Sequence, residues 1–146
     1  MVMTEDAQET AKKRMKEGWI KAWAAIEVLA VTKDAAESSL KKHIDQMKKE
    51  NDVLVYKEDF KKAEEVPHPF DKSKNAYSMV VEVEFTARRY DTLVYLILNY
   101  APSSVEILEP SEIKIKMGEA QSILNSLSEL VHNLIASKQG AVAIDA

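Results

Sequence analysis

The sequence predicts an α+β fold: an antiparallel sheet of four strands in the order 4-1-3-2, two helices on one face, and an extra helix at the C-terminus. Three observations carry this. Four stretches alternate apolar and polar residues with the period of two expected of half-buried strands. The segments between strands one and two, and between three and four, have helical apolar spacing or are apolar all round. Finally, the two halves echo each other: "AIEVLAVTKDAAESSL" lies over "VVEVEFTARRYDTLVYL", with Glu27 on Glu82 and the apolar sides in phase.

Residues 1–17 show little apolar periodicity and read as a tail or frayed helix. In "WIKAWAAIEVLAVT", Ile20, Ala22, Ala24, Ile26 and Val28 fall on one side, and Trp19, Lys21, Trp23 and Glu27 on the other. Asp34, with Glu37 three residues on, marks a helix start, because carboxylates there meet the positive end of the helix dipole. Ala36, Leu40, Ile44 and Met47 recur at helical spacing before "KKENDV" closes the helix, and "VLVYKEDF" is the second strand. "KKAEEVPHPFDKSKN" is polar, contains two prolines and reads as a long connection, the most mobile internal segment expected.

In "AYSMVVEVEFTA", Met79, Val81, Val83 and Phe85 oppose Glu82 and Glu84. Asp91 is placed to cap a deeply packed helix through Leu98. The stretch "NYAPSSVEILEPSEIKIK" carries two adjacent serines but no activating motif, so it reads as a structural handover from this helix to an edge strand. Pro102 stops the helix, and Pro110 suits an edge or a bulge because it donates no ladder hydrogen bond. "EIKIKM" is the expected fourth strand; Gly118 opens the last helix and Gly140 ends it. The expected divisions are a tail to residue 17, a domain over 18–117, a helix over 118–139 that packs on the sheet or a partner, and a tail from 140.

At 146 residues the chain is long enough for one core. Its net charge of -4 argues against a general nucleic-acid binder, which presents a basic surface. Without cysteine it holds no disulfide, thiolate zinc site or cysteine nucleophile. The charged N-terminus has no apolar core of a signal peptide, and no apolar run is long enough to span a membrane, so a cytoplasmic protein is expected.

The sheet face away from the first two helices holds the main candidates: Trp19, Trp23, Glu27, Glu82 and Glu84, with Lys114 and Lys116 from the expected edge strand. Two tryptophans there would form an apolar patch that meets something. The last helix also has a wide apolar stripe, Ala120, Ile123, Leu124, Leu127, Leu130, Val131, Leu134 and Ile135, and requires a packing surface. Leu127 and Leu134 are its interface candidates. Glu64, His68 and Asp71 are weak metal candidates whose spacing matches no established ligand motif.

The order of strands and helices over roughly residues 19–117 resembles the ferredoxin-like superfold, including the amino-acid-binding ACT-type regulatory modules. The glycine-rich effector turn of those modules is missing, since "VTKDAAESS" stands in its place; so are the basic phosphate loop of acylphosphatases and the cysteine pair of metallochaperones. "AYSMVVEVEF" and "NYAPSSVEILEPSEIKIKMGEAQ" are also similar to a family of small uncharacterised archaeal proteins. The functional expectation is a non-enzymatic, self-associating domain without cofactor, forming homo-oligomers or binding a protein partner. The alternative is a small-molecule sensor with its pocket under the last helix, and a third reading is a metal-dependent enzyme using the 64–71 loop.

Overall fold

The computed structural model describes residues 5–138, in two compact units divided between Glu112 and Ile113. The first unit has an α+β fold. Its elements are α1 (Glu5–Lys16), β1 (Ile20–Ala30), α2 (Lys33–Lys48), β2 (Val53–Phe60), β3 (Glu64–Pro67), β4 (Asn75–Ala87), α3 (Tyr90–Tyr100) and β5 (Ser104–Glu109). The second contains α4 (Met117–Lys138). The antiparallel sheet has five strands along the path β2-β4-β1-β5, with β3 also on β4, so the expected four-strand arrangement is not matched as such.

Alternation sets the register at the centre. Ala24 faces Val83 and Ile26 faces Val81 across the β1–β4 ladder, and all four are buried. On the same face α2 supplies Ala36, Leu40, Ile44 and Met47, and α3 supplies Leu93, Leu96 and Tyr100, all buried. Each large side chain contributes about 1.5–3 kcal/mol by leaving water. α2 starts slightly earlier than its carboxylates suggest: Thr32 is the cap, its hydroxyl accepting from the Ala35 amide at 3.1 Å. α3 likewise begins after Arg89, whose amide donates to Thr92 Oγ1, while Asp91 sits inside the first turn and accepts from Arg89 Nε. α3 ends at Ala101, a left-handed residue (φ 46°) directly before Pro102.

Two expectations are corrected, and of the tail or frayed helix expected at the N-terminus it is the helix that forms. The N-terminal segment is a helix packed against β2 and β4, with Ala11 buried. It ends in a Schellman turn at Gly18 (φ 92°): the Trp19 amide donates to the Arg14 carbonyl and the Gly18 amide to that of Met15. Its inward stripe is only Ala7, Ala11 and Met15, too slight to register as periodicity. The supposed long connection is instead mostly a continuation of the β2 edge. Lys61 donates to the Val80 carbonyl, β3 resumes pairing with residues 75–78 of β4, and a compact turn closes the hairpin. Finally, the last strand is Ser104–Glu109, inside the stretch read as a handover, and residues 112–116 are not a strand. Pairing with β1, where Val105 meets Ala24 and Ile107 meets Ala22, selects "SVEILE" over the equally alternating "EIKIKM".

No helix among the described residues is long and apolar enough to cross a membrane. Residues 1–4 and 139–146, including Gly140 and the expected C-terminal tail, lie outside the described residues.

Candidate functional site

The sheet face opposite α2 and α3 is built by the same alternation that builds the core. Trp23 stands across from Glu84, Ala25 from Glu82, and Glu27 from Val80, so Trp23, Glu27, Glu82 and Glu84 share one face. Beside them the β2–β4 register shifts between Val55 and Lys57. The extra residue at this bulge, Tyr56, joins Lys57 in reaching a single carboxylate: Tyr56 Oη donates to Glu84 Oε1 at 3.1 Å, and Lys57 Nζ lies 3.0 Å from Glu84 Oε2. Glu82 is held in a similar way, accepting from Trp23 Nε1 at 3.2 Å and pairing with Lys61 Nζ at 3.0 Å. Lys61 also bridges to Asp59 at 2.7 Å. Glu27 stays apart from this cluster and accepts from Ser78 Oγ at 2.9 Å.

The electrostatics follow from these contacts. Burial, then the negative charge of Glu84, pushes the Tyr56 phenol well above its ordinary value, so Tyr56 is a neutral donor. The hydrogen bond from Lys61 draws the Asp59 carboxyl down; the bonds to Asp59 and then Glu82 raise the Lys61 ammonium. Glu82, Glu84 and Asp59 are thus each paired with a lysine, and Glu82 and Glu84 also accept from Trp23 and Tyr56 respectively. Such an arrangement orders this part of the surface, with both Glu82 and Glu84 engaged by neighbouring side chains.

Among the described residues, concavities open on this face. One of about 180 Å³ lies over Trp23, Lys57, Asp59, Lys61 and Glu82. A larger one of about 480 Å³ runs beneath α1, between Ala11, Lys12, Met15 and Lys16 of the helix and Lys21, Tyr56, Thr86 and Glu109 of the sheet. The face is therefore not the bare tryptophan patch expected. Trp23 is held in its hydrogen-bonded cluster, and Trp19 precedes the strand, its ring under the Arg14 guanidinium at 4.9 Å.

The remaining candidates lie elsewhere. Lys114 and Lys116 are exposed residues of the second unit, where the Lys116 carbonyl accepts the Ala120 amide; they are not sheet residues, because 112–116 does not pair. Leu127 and Leu134 are exposed on α4, as are Leu124, Leu130, Val131 and Ile135. Glu64, His68 and Asp71 do not converge. His68 Nδ1 accepts the amides of Phe70 and Asp71, and Asp71 Oδ1 accepts both the hydroxyl and the amide of Ser73, which lowers its pKa. No group of three or more potential metal-ligating side chains occurs among the described residues.

Sequence reasoning missed the contributions of Lys12, Lys16, Tyr56 and Thr86. The bulge that redirects Tyr56 has no glycine or proline to announce it, and the α1 lysines matter only once that helix is docked. The signal present was Gly18 after the basic run "KKRMKE", a helix C-terminus signature.

No curated protein matches the chain, and no solved structure matches it. A family model does: it covers residues 21–145, from the start of β1 through α4 and beyond, and on that match the chain belongs to the MJ0538 family.

Proposed function

We propose that this chain is a non-enzymatic self-assembly module that associates with further copies of itself through α4. The observation that carries this reading is the uncovered apolar stripe of that helix. Leu124, Leu127, Leu130, Val131, Leu134 and Ile135 are all between 36% and 61% exposed. Within the stripe, Ala120, Ile123, Leu127, Leu130 and Leu134 follow the alternating three- and four-residue spacing of a coiled-coil seam. A seam of this kind, on a helix about 33 Å long, is satisfied by a second copy of itself. The edge strand β5 adds support: all six of its residues are exposed, among them Val105, Ile107 and Leu108, and an open apolar edge is a template for pairing.

The fold reading that accompanies this is ferredoxin-like. With the short β3 set aside, β1-α2-β2 and β4-α3-β5 form two strand–helix–strand units interleaved along the path β2-β4-β1-β5. The non-enzymatic part of the reading is supported by the commitment of Glu82 and Glu84 to lysine, tyrosine and tryptophan donors.

Sedimentation equilibrium on the intact chain tests the proposal. The wild type is expected to be oligomeric at micromolar concentration, and the double variant Leu127→Glu, Leu134→Glu monomeric with its sheet still folded. A wild type that stays monomeric at high micromolar concentration would sink it.

A further inference from the structure

We propose that the cavity beneath α1 binds a small carboxylate with an apolar body. This site is separate from the α4 stripe and does not depend on it. At about 480 Å³ it is within the range of small-molecule pockets. Met15, Ala11 and the ring of Tyr56 give it an apolar wall. Its charged groups are three ammoniums, Lys12, Lys16 and Lys21, against one carboxylate, Glu109. Lys12 and Lys16 form no ion pair among the described residues, and Lys21 lies 3.8 Å from Glu109, at the long end of pairing. The surplus is positive in a chain whose net charge is -4, so an anion is the ligand this surface fits.

Thr86 supplies the second, independent observation. It is fully buried on the sheet side of this cavity, and its hydroxyl has no hydrogen-bond partner. A buried donor without a partner is destabilising, and next to a cavity it is satisfied by an acceptor that arrives with a ligand. A carboxylate fits better than a purely apolar guest, because it gives Thr86 an acceptor and the lysines a counter-charge. It fits better than a phosphate or other compact polyanion, because such an ion would leave the apolar wall of Ala11, Met15 and the Tyr56 ring uncovered.

The test uses the full-length chain with decanoate as the probe, below its micelle concentration, followed by calorimetry and thermal melts. Decanol carries the same chain without the charge. Decanoate is expected to bind saturably with one site per chain and to raise the melting temperature, with decanol at least about tenfold weaker. Lys12→Gln with Lys16→Gln, both exposed side chains, is expected to weaken decanoate by about tenfold. Thr86→Val separates ligand binding from folding: without ligand the melting temperature is expected to hold or rise, since the unpartnered hydroxyl is gone, while decanoate affinity falls. Absence of saturable binding, equal affinity for decanol, or lysine and Thr86 variants that bind like the wild type would each overturn the proposal. So would binding to phosphatidylglycerol vesicles in place of free decanoate, which would make the lysines part of a membrane-facing surface.

Discussion

The two faces of the central sheet solve the same problem by different means. On one, α2 and α3 bury an apolar layer whose members, Leu40, Ile44, Val81, Val83 and Phe85, are almost wholly removed from water. On the other, α1 covers only part of the surface, and the rest is closed by Trp23, Tyr56 and lysines gathered around Glu82 and Glu84. The first face holds the fold together through area and packing. The second contributes order and chemistry at little net stability, because exposed ion pairs are weak and screened. The difference shows why the small-molecule site is proposed on the second face: there polar groups and unfilled space meet.

The sharpest way to break this contrast is a deletion in the apolar layer. Leu40→Ala should lower the unfolding free energy by about 2–5 kcal/mol in denaturant titration, through lost burial and the cavity left behind. A loss below about 1 kcal/mol would mean that the helical face is not the principal core.

An intermediate effect is expected where the polar face dips into burial, at Tyr56. Its hydroxyl bond to Glu84 makes Tyr56→Phe destabilising by about 1–2 kcal/mol at neutral pH. The pH dependence has a definite sign. The folded-state pKa of Tyr56 lies above its ordinary value of 10.0, and so does that of Tyr100, raised by burial and then by its hydrogen bond to Glu50. Their stabilisation is therefore complete below pH 10 and is lost as pH rises beyond it, since the unfolded chain gives up these protons first. Chemical denaturation between about pH 9 and 12 should show stability falling, with a shallower fall in Tyr56→Phe. An identical slope in the two proteins would contradict the buried Tyr56–Glu84 contact.

The smallest effect belongs to the open end of the cluster. Glu82→Gln retains an acceptor for Trp23 and loses only the ionic part of the Lys61 contact, so it should change stability by less than about 1 kcal/mol, shrinking further as salt is added. A larger, salt-insensitive loss would mean that this face is as structural as the other.

Legibility in the sequence follows the same division. The alternation of β1 and β4 is plain because both strands carry long apolar sides in one phase, and that phase alone puts Glu27, Glu82 and Glu84 on one face. α2 is plain from Ala36, Leu40, Ile44 and Met47. Periodicity misplaces the last strand because "SVEILE" and "EIKIKM" alternate equally well, and only the partner strand β1 chooses between them. The bulge at Tyr56 and the hairpin of β3 are likewise products of pairing with β4, not of local propensity. α1 reads only as a tail or frayed helix, because alanine and methionine make too faint a stripe to announce its docking on the sheet, so the cavity it roofs is invisible in residue types. Fold comes from periodicity; the site comes from register and docking, which periodicity does not encode.

The central functional claim is that α4 finds its apolar partner in a second copy, and hydrogen exchange across a dilution series tests it most directly. If α4 pairs with a second copy, its amides around Leu124–Leu134 are protected at high protein concentration and lose protection on dilution, while the β1 and β4 amides stay protected throughout. Protection of α4 that is independent of concentration would contradict it, because the stripe would then be satisfied within a single chain.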